Sequence, residues 1–497
     1  MKKNVVVIGG GLGGLSAAVA CAQNGHTVTI LEKQSHCGGY AISFSRQGFV
    51  FDPSLHATPC GAIGDYFYTL IQQLGISDDI TFLKIQKGFK TFLGDFSFDL
   101  STDYSAFIHD LIQTFPEEKR GLAQLDRDIK RFAPLYHRVL EGMANPLSIA
   151  MHFVPKIPSF LYHANTSTYD YLCRYISNKT LCAILFHPSI FFGIPMKQFP
   201  AINFMLMFYL LCVKGMYTIQ GGGNALSLAL ISRSKALGVT IRTNSEATSV
   251  KMSDGLAVGV QTSDNAFFEA DAIISNVNTP ALIRKLIGVD HFPSAYITAL
   301  GDLRPSLSLL QLHCGLNCTT SACGITNHIT TIFPDADIDK YLGSRNSDLF
   351  PAGYSIIAPQ ISDPAFFSSE KPVLSILGGV SSSLWLALSE NKYRDEKRKC
   401  QDMFLESVAK RFPAISSHCA VLDCATPKTF ARYTGNPDGA ILGFDCSLGT
   451  QRKIMAISRL PIRNVFLANA WTGKLGGYMQ VIKAGIDAAK KCEKVLI

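Results

Sequence analysis

An apolar run, Val5-Val6-Val7-Ile8, enters Gly9-Gly10-Gly11-Leu12-Gly13-Gly14 and leaves as an Ala-rich segment. Glycines at 9, 11 and 14 give G-x-G-x-x-G between a buried strand and a helix, which restricts this stretch to a β-turn-α unit. Gly9 permits the tight turn, Gly11 bares the backbone where a pyrophosphate approaches, and Gly14 lets helix and strand pack closely. The helix start presents unpaired N–H groups and a positive dipole end to phosphates. A second apolar run, Thr27–Leu31, ends in Glu32, eighteen positions after Gly14, where a carboxylate accepts hydrogen bonds from a ribose diol. The alternative is a chance glycine-rich turn, and the second strand with its terminal carboxylate weighs against it.

The chain has 497 residues, enough for a large core and two domains. Hydrophobic residues make up 47% and charged residues 17%, which excludes a disordered protein. The net charge of +8 comes without a dense Lys/Arg run or an aromatic-interleaved basic stripe, so no nucleic-acid partner is expected. Weak attraction to anionic membrane surfaces is compatible with that charge. Fourteen cysteines lie without a CxxC pair or a regular framework. No secretory signal is read at the start, so they are expected as reduced thiols in a cytoplasmic protein. His313, Cys314, Cys318 and Cys323 form a local cluster with metal-ligand character, but small core cysteines explain it more simply and no metal is expected.

Downstream of Glu32-Lys33 comes a second glycine pair, Gly38-Gly39, then an alternating strand over 48–52 leading to His56. A helix is predicted from Tyr66 to Gly75, a β-ribbon over 80–100, and amphipathic helices at Tyr104–Phe115 and Glu117–Glu141. The stretches 145–162 and 199–213 are strongly apolar, and the second is too short to span a bilayer. The second reads as a buried helix, with the wall of a hydrophobic tunnel or a surface dipping into one leaflet as the alternatives. Lys156 and Lys214 are placed to meet headgroups, so attachment to the cytoplasmic face of a membrane is an expectation to test. Gly221-Gly222-Gly223 lacks a preceding buried strand and a later ribose carboxylate, which argues against a second nucleotide site.

Taken in order, Val7–Leu15, Leu31-Glu32-Lys33 with Gly38-Gly39, Gly48–Asp52, Tyr217–Gly222, Thr426–Phe430 with Arg432–Ala440, and Leu467–Thr472 resemble the FAD-dependent phytoene desaturase, carotenoid isomerase and retinol saturase family, within the amine-oxidase-like flavoproteins. The resemblance spans nearly the whole chain. It implies an α/β fold, a Rossmann-type FAD-binding domain (1–82, 217–285 and 421–497) with an inserted α+β substrate domain (83–216 and 286–420). It further implies that Gly9, Gly11, Leu12, Gly13 and Gly14 meet the FAD pyrophosphate and Glu32 and Lys33 the ribose. Gly38, Gly39 and Tyr40 would lie near the phosphates and Ala247 against the adenine. Asn469, Ala470, Gly477, Met479 and Val481 would meet the ribityl chain and isoalloxazine. The chain departs from the family pattern at Tyr40–Ser43, where an arginine is common, at Asn469, where a glycine is common, and at Pro53-Ser54.

Such a protein is expected to act on carbon–carbon bonds of a carotenoid, retinoid or other polyene lipid by hydride transfer at flavin N5, as desaturase, saturase or isomerase. His56, Tyr433 and Tyr478 are the candidate catalytic groups. Each has a bland alternative: a hydrogen-bonded structural histidine, and pocket wall for the two tyrosines. Electrons are expected to pass through oxygen, a membrane quinone or a separate donor. The competing readings are an amine or amino-acid oxidase on the same scaffold and a non-enzymatic lipid-binding escort-like protein.

Overall fold

The computed structural model describes residues 2–140, 151, 154–342, 348–365, 371–472 and 476–496. Two apolar runs and the fingerprint fold as expected: β1 (Asn4–Ile8), α1 (Leu12–Gln23) and β2 (Thr27–Leu31) form a strand–helix–strand unit. They sit in a five-stranded parallel sheet ordered Thr240–Arg242, β2, β1, Ala272–Ser275 and Val465–Leu467. All four apolar residues of β1 are buried, as a central parallel strand covered on both faces requires. Their alternation decides which face they serve. Val5 and Val7 join Leu15, Ile30, Ile482 and Ile486 beneath the helices. Val6 and Ile8 join Val250, Val260 and Leu282 beneath the antiparallel meander Ala247–Ser253, Leu256–Thr262 and Phe267–Glu269.

The C-terminal helix, Tyr478–Leu496, lies against α1 with almost nothing between the backbones. A Cβ on Gly485 would stand 2.3 Å from the carbonyl oxygen of Gly13, and one on Gly13 would stand 1.9 Å from that of Ala468. Gly14 is similarly constrained, its absent Cβ falling 2.0 Å from the Gly9 carbonyl. Gly13 and Gly485 therefore let the two segments close on each other, while Gly14 lets α1 close on its own preceding turn.

A seven-stranded sheet makes up the second layer, ordered Cys419–Ala425, Ser308–Leu316, Val373–Val380, Tyr354–Ile357, Ile329–Phe333, Phe89–Leu93 and Phe96–Leu100. It is antiparallel except where Ile329–Phe333 runs parallel to Phe89–Leu93. Along Ser308–Leu316 the period-two rule separates two environments. Leu310, Leu312 and Cys314 pack with Trp385 and Phe404, while Leu309, Gln311 and His313 face a cavity. A helical layer including Tyr104–Thr114, Lys119–Leu140, Lys179–Phe186 and Ala201–Phe208 buries an aromatic-rich core against the opposite edge of this sheet.

The predicted ribbon over 80–100 divides between two sheets. Phe89–Leu93 and Phe96–Leu100 pair as a hairpin, whereas Phe82–Lys84 pairs with Met216–Ile219 in a separate sheet that also holds Thr58–Pro59. Helix Ala201–Phe208 and the wide turn Tyr209–Val213 are core elements that present Met207, Leu210 and Leu211 to the cavity, so this stretch is a buried helix that also forms cavity wall. Among the described residues no helix is long and apolar enough to cross a membrane. Of the stretch 145–162, residues 145–150, 152 and 153 lie outside the described residues.

Replacing Gly485 by alanine forces a methyl group into the α1 backbone. The expected loss is about 1–3 kcal/mol of stability, read as a lower urea midpoint with unchanged m-value.

Candidate cofactor and substrate site

At Gly9 the backbone turns through φ +95°, a conformation glycine adopts without strain, and its N–H donates to the Leu31 carbonyl at 2.8 Å. The Glu32 carboxylate then organises the loop: Oε2 accepts from Gly10 N–H at 2.7 Å and Oε1 from Gln34 N–H at 2.8 Å. The second glycine pair docks on the first. Gly38 N–H donates to the Gly10 carbonyl at 2.8 Å, and a Cβ on Gly39 would stand 3.3 Å from Gly11 Cα.

Asn276 was not singled out as a functional residue in the sequence. Its Oδ1 accepts from Gly11 N–H at 3.1 Å, and its Nδ2 donates to the Ala468 carbonyl at 2.6 Å. A Cβ on Gly11 would fall 2.5 Å from that Oδ1, so Gly11 is bare at least as much for Asn276 as for a phosphate. The available signal was a polar residue at the end of a fully buried strand, Ser275-Asn276.

A cavity of about 1540 Å³ runs along this loop and on between the two sheets. Gly9, Gly11, Leu12, Glu32, Lys33, Gly38, Gly39, Tyr40 and Ala247 line it, as do Asn469, Ala470, Gly477, Tyr478, Met479 and Val481. His56 and Tyr433 also face it, whereas Gly13 and Gly14 are absent from its wall. Tyr433 is 56% exposed, and its carbonyl accepts from Gln34 Nε2 at 3.0 Å, which places it on the rim beside the Glu32 loop. The cavity fits an adenine dinucleotide carrying a further ring: glycine backbone at the loop, a carboxylate at the end of β2, and a continuous path to the C-terminal helix.

The Gly221–Gly223 turn does follow a buried strand, Met216–Ile219, contrary to the sequence reading. That strand belongs to the small antiparallel sheet and does not feed a nucleotide loop. The turn's N–H groups are already bonded, Gly221 to Asp363 Oδ2 at 2.7 Å and Gly223 to Asp52 Oδ2 at 2.5 Å. Asp52 also accepts from Ser54 and Leu55 N–H at 3.0 Å each. Ser54 Oγ meets Tyr478 Oη at 2.5 Å and donates to the Tyr40 carbonyl at 2.6 Å. Burial, followed by the Asp52 carboxylate, pushes the Tyr478 phenol well above its ordinary range, so its hydroxyl keeps its proton.

Two histidines, His56 and His313, line the inner cavity, and two more lie behind its wall, His187 against Phe89 and His328 against the His56 backbone. Burial is the leading cause that pulls His56 and His187 down to about 3, and His313 and His328 down to about 4. His328 Nε2 donates to the His56 carbonyl at 2.7 Å, and the His56 ring stacks 6.2 Å from Phe191. The His313–Cys323 cluster is not a ligand set. His313 points into the cavity and bonds Ser375 through Nδ1 at 3.1 Å, Cys314 points to the opposite face, and among the described residues no group is arranged to hold a metal.

Residues 12–317 match the model of a family described as flavin containing amine oxidoreductase. The chain is 25% identical over 452 residues to prolycopene isomerase 1, chloroplastic, from an Oncidium hybrid cultivar, covering 88% of this chain and 74% of that protein. It is 26% identical over 390 residues to 4,4'-diapolycopene oxygenase from Methylomonas sp, covering 76% and 75%. Among solved structures, a triple mutant of putrescine oxidase aligns with a TM-score of 0.67 and 15% identity, over 100% of this chain and 98% of the other. Cyclohexylamine oxidase from Brevibacterium oxydans IH-35A aligns with a TM-score of 0.64 and 13% identity, over 100% of both chains.

The four neutral imidazoles make stability pH-dependent. Unfolded, they bind protons below about pH 6.5; folded, they do not until pH approaches the values above. Between those limits the unfolded state holds more protons, so stability falls as pH drops. Urea midpoints are expected to decline steadily from pH 7 to pH 5, and a flat profile would contradict the burial of these rings.

Proposed function

Because the chain belongs to the flavin-containing amine oxidoreductase family, with FAD as its cofactor, we propose that its substrate is a long apolar polyene whose carbon–carbon double bonds it desaturates, saturates or isomerises. The observation that carries this reading is the wall beyond the C-terminal helix. Phe191, Phe192, Met207, Leu210, Leu211 and Phe333 line it. An ammonium-bearing substrate needs a carboxylate or an aromatic cage facing it. Three of the carboxylates lining this cavity are engaged otherwise: Glu32 holds the loop, Asp423 pairs with Arg46 at 3.3 Å and Glu390 with Arg394 at 3.8 Å. The similarity to proteins named for prolycopene and diapolycopene supports the same substrate class.

FAD, when bound, supplies two-electron exchange with a substrate carbon. In this reading Gly9, Gly11, Leu12, Gly38 and Gly39 hold its pyrophosphate, Glu32 its ribose, and Asn469, Ala470, Gly477, Met479 and Val481 its flavin end. The chain's other task is to exclude water and keep the site uncharged. His56 contributes a neutral imidazole beside Phe191, and Tyr478 a protonated hydroxyl fixed by Ser54. Both face the cavity and are able to hold or pass a proton, as is His313, with Tyr433 outside at the rim.

A further part of the proposal is contact with a membrane surface, the source of such a substrate. Met151, Val154, Ile157 and Leu161 are 58%, 50%, 37% and 46% exposed, close together in sequence and beside Lys156. A run of apolar side chains open to solvent next to a lysine suits the headgroup boundary.

Product analysis separates the chemistries. With prolycopene and reduced FAD, isomerisation without net oxidation is expected of an isomerase; with phytoene, added double bonds of a desaturase; with all-trans-retinol, loss of one of a saturase. Peroxide release from amines, with no change in any polyene, would overturn the reading. His56→Ala is expected to bind FAD normally and to turn over at least about tenfold more slowly, about 1.4 kcal/mol in the barrier. The wild-type rate should show no imidazole inflection between pH 5 and 8, since the ring is already neutral there. Anionic vesicles should sediment the wild-type protein and leave a Val154→Asp, Leu161→Asp double variant in the supernatant.

A further inference from the structure

The loop after strand Ser308–Leu316 brings together two cysteines that the cofactor and substrate site does not use. Cys318 Sγ and Cys323 Sγ stand 3.2 Å apart. A tight turn sets that approach. Cys323 N–H donates to the Thr319 carbonyl at 3.3 Å, Ile325 N–H to the Thr320 carbonyl at 2.9 Å, and Gly324 closes the turn at φ +79°. Cys323 is 3% exposed, whereas Cys318 is only half-buried and open to a small reagent. The loop is anchored at both ends, by Asn317 N–H on the His418 carbonyl at 3.0 Å and by Ile325 in the core with Cys314 and Leu316.

We propose that Cys318 and Cys323 are an oxidation site, a dithiol that reacts with hydrogen peroxide and closes to an intraloop disulfide. The sulfur of Cys318 attacks one oxygen of hydrogen peroxide, the O–O bond breaks, the displaced hydroxide leaves as water with the Cys318 thiol proton, and Cys318 becomes a sulfenic acid. The sulfur of Cys323 then attacks it, an S–S bond forms, the S–O bond breaks, and the hydroxyl leaves as water with the Cys323 proton. In total two thiols lose two hydrogens and one peroxide becomes two waters. The division of labour follows from the surroundings. The half-buried sulfur of Cys318, the more accessible of the two, meets the oxidant. The buried one, which burial and then its hydrogen bond to Cys318 push up to about 12, stays a thiol until its neighbour is activated. The sulfurs need to approach by about another 1.2 Å to reach bonding distance, within reach of a side-chain rotation in a loop already folded to that shape.

The experiment uses the full-length, FAD-loaded protein, exposed to equimolar hydrogen peroxide, alkylated and digested without reductant. The expected product is a peptide spanning 318–323 that has lost two hydrogens, resists alkylation at both cysteines and regains both thiols with dithiothreitol. Cys323→Ser should instead leave Cys318 as a sulfenic acid trapped by dimedone, and Cys318→Ser should leave Cys323 alkylated. Unoxidised thiols at both positions, or peroxide ending as sulfinic acid on Cys318 with Cys323 still free in the wild-type protein, would overturn the proposal. So would a disulfide from Cys318 to another cysteine.

Discussion

Asn276 holds the fold together at the point where it matters most. One side-chain amide accepts from the fingerprint loop at Gly11 and donates to the end of the last strand at Ala468. Residues from three distant parts of the chain thereby fix the loop's position relative to the sheet. The contact is available only because glycines 11 and 13 leave no side chains in the way. Helix α1 and the C-terminal helix approach as bare backbone at Gly13 and Gly485, a contact close-packed enough to leave no room for a side chain.

Polar groups in this apolar protein are used as scaffolding. Among the described residues the buried carboxylates are Glu32, Asp52, Glu118, Asp363 and Asp445. Each accepts a backbone N–H: from Gly10 and Gln34, from Ser54, Leu55 and Gly223, from Ser177 and Asn178, from Gly221, and from Ser447. A buried charge tied to several donors is tolerable where an isolated one is not. The acids therefore pin loops in place, and the inner part of the cavity carries hydrocarbon beside the neutral imidazoles of His56 and His313 and the protonated phenol of Tyr478.

Much of this was legible in the residues. The parallel sheet follows from unbroken runs at 5–8, 27–31 and 272–275, and the fingerprint follows from glycine spacing that only one local geometry satisfies. What the pattern could not give was partnership across the chain. Nothing near Gly13 announces the carbonyl of Ala468. Asn276 reads as the polar end of a strand until the loop is seen above it. The ribbon over 80–100 misled because Phe82–Lys84 has the same alternation as the hairpin that follows, and pairing choice is a tertiary matter. Gly221–Gly223 misled in the other direction: a buried strand does precede it, but carboxylates from residues 52 and 363 occupy its donors.

The parallel sheet takes its strands from residues 4–8, 27–31, 240–242, 272–275 and 465–467, and residues 469–471 and 476–481 supply one wall of the cavity. During synthesis the first four strands emerge with one edge uncovered, and the groove beside the fingerprint has no far wall until the final helix arrives. The cofactor groove is thus a long-range product of folding, complete only when Tyr478–Leu496 has packed back against residues 4–31.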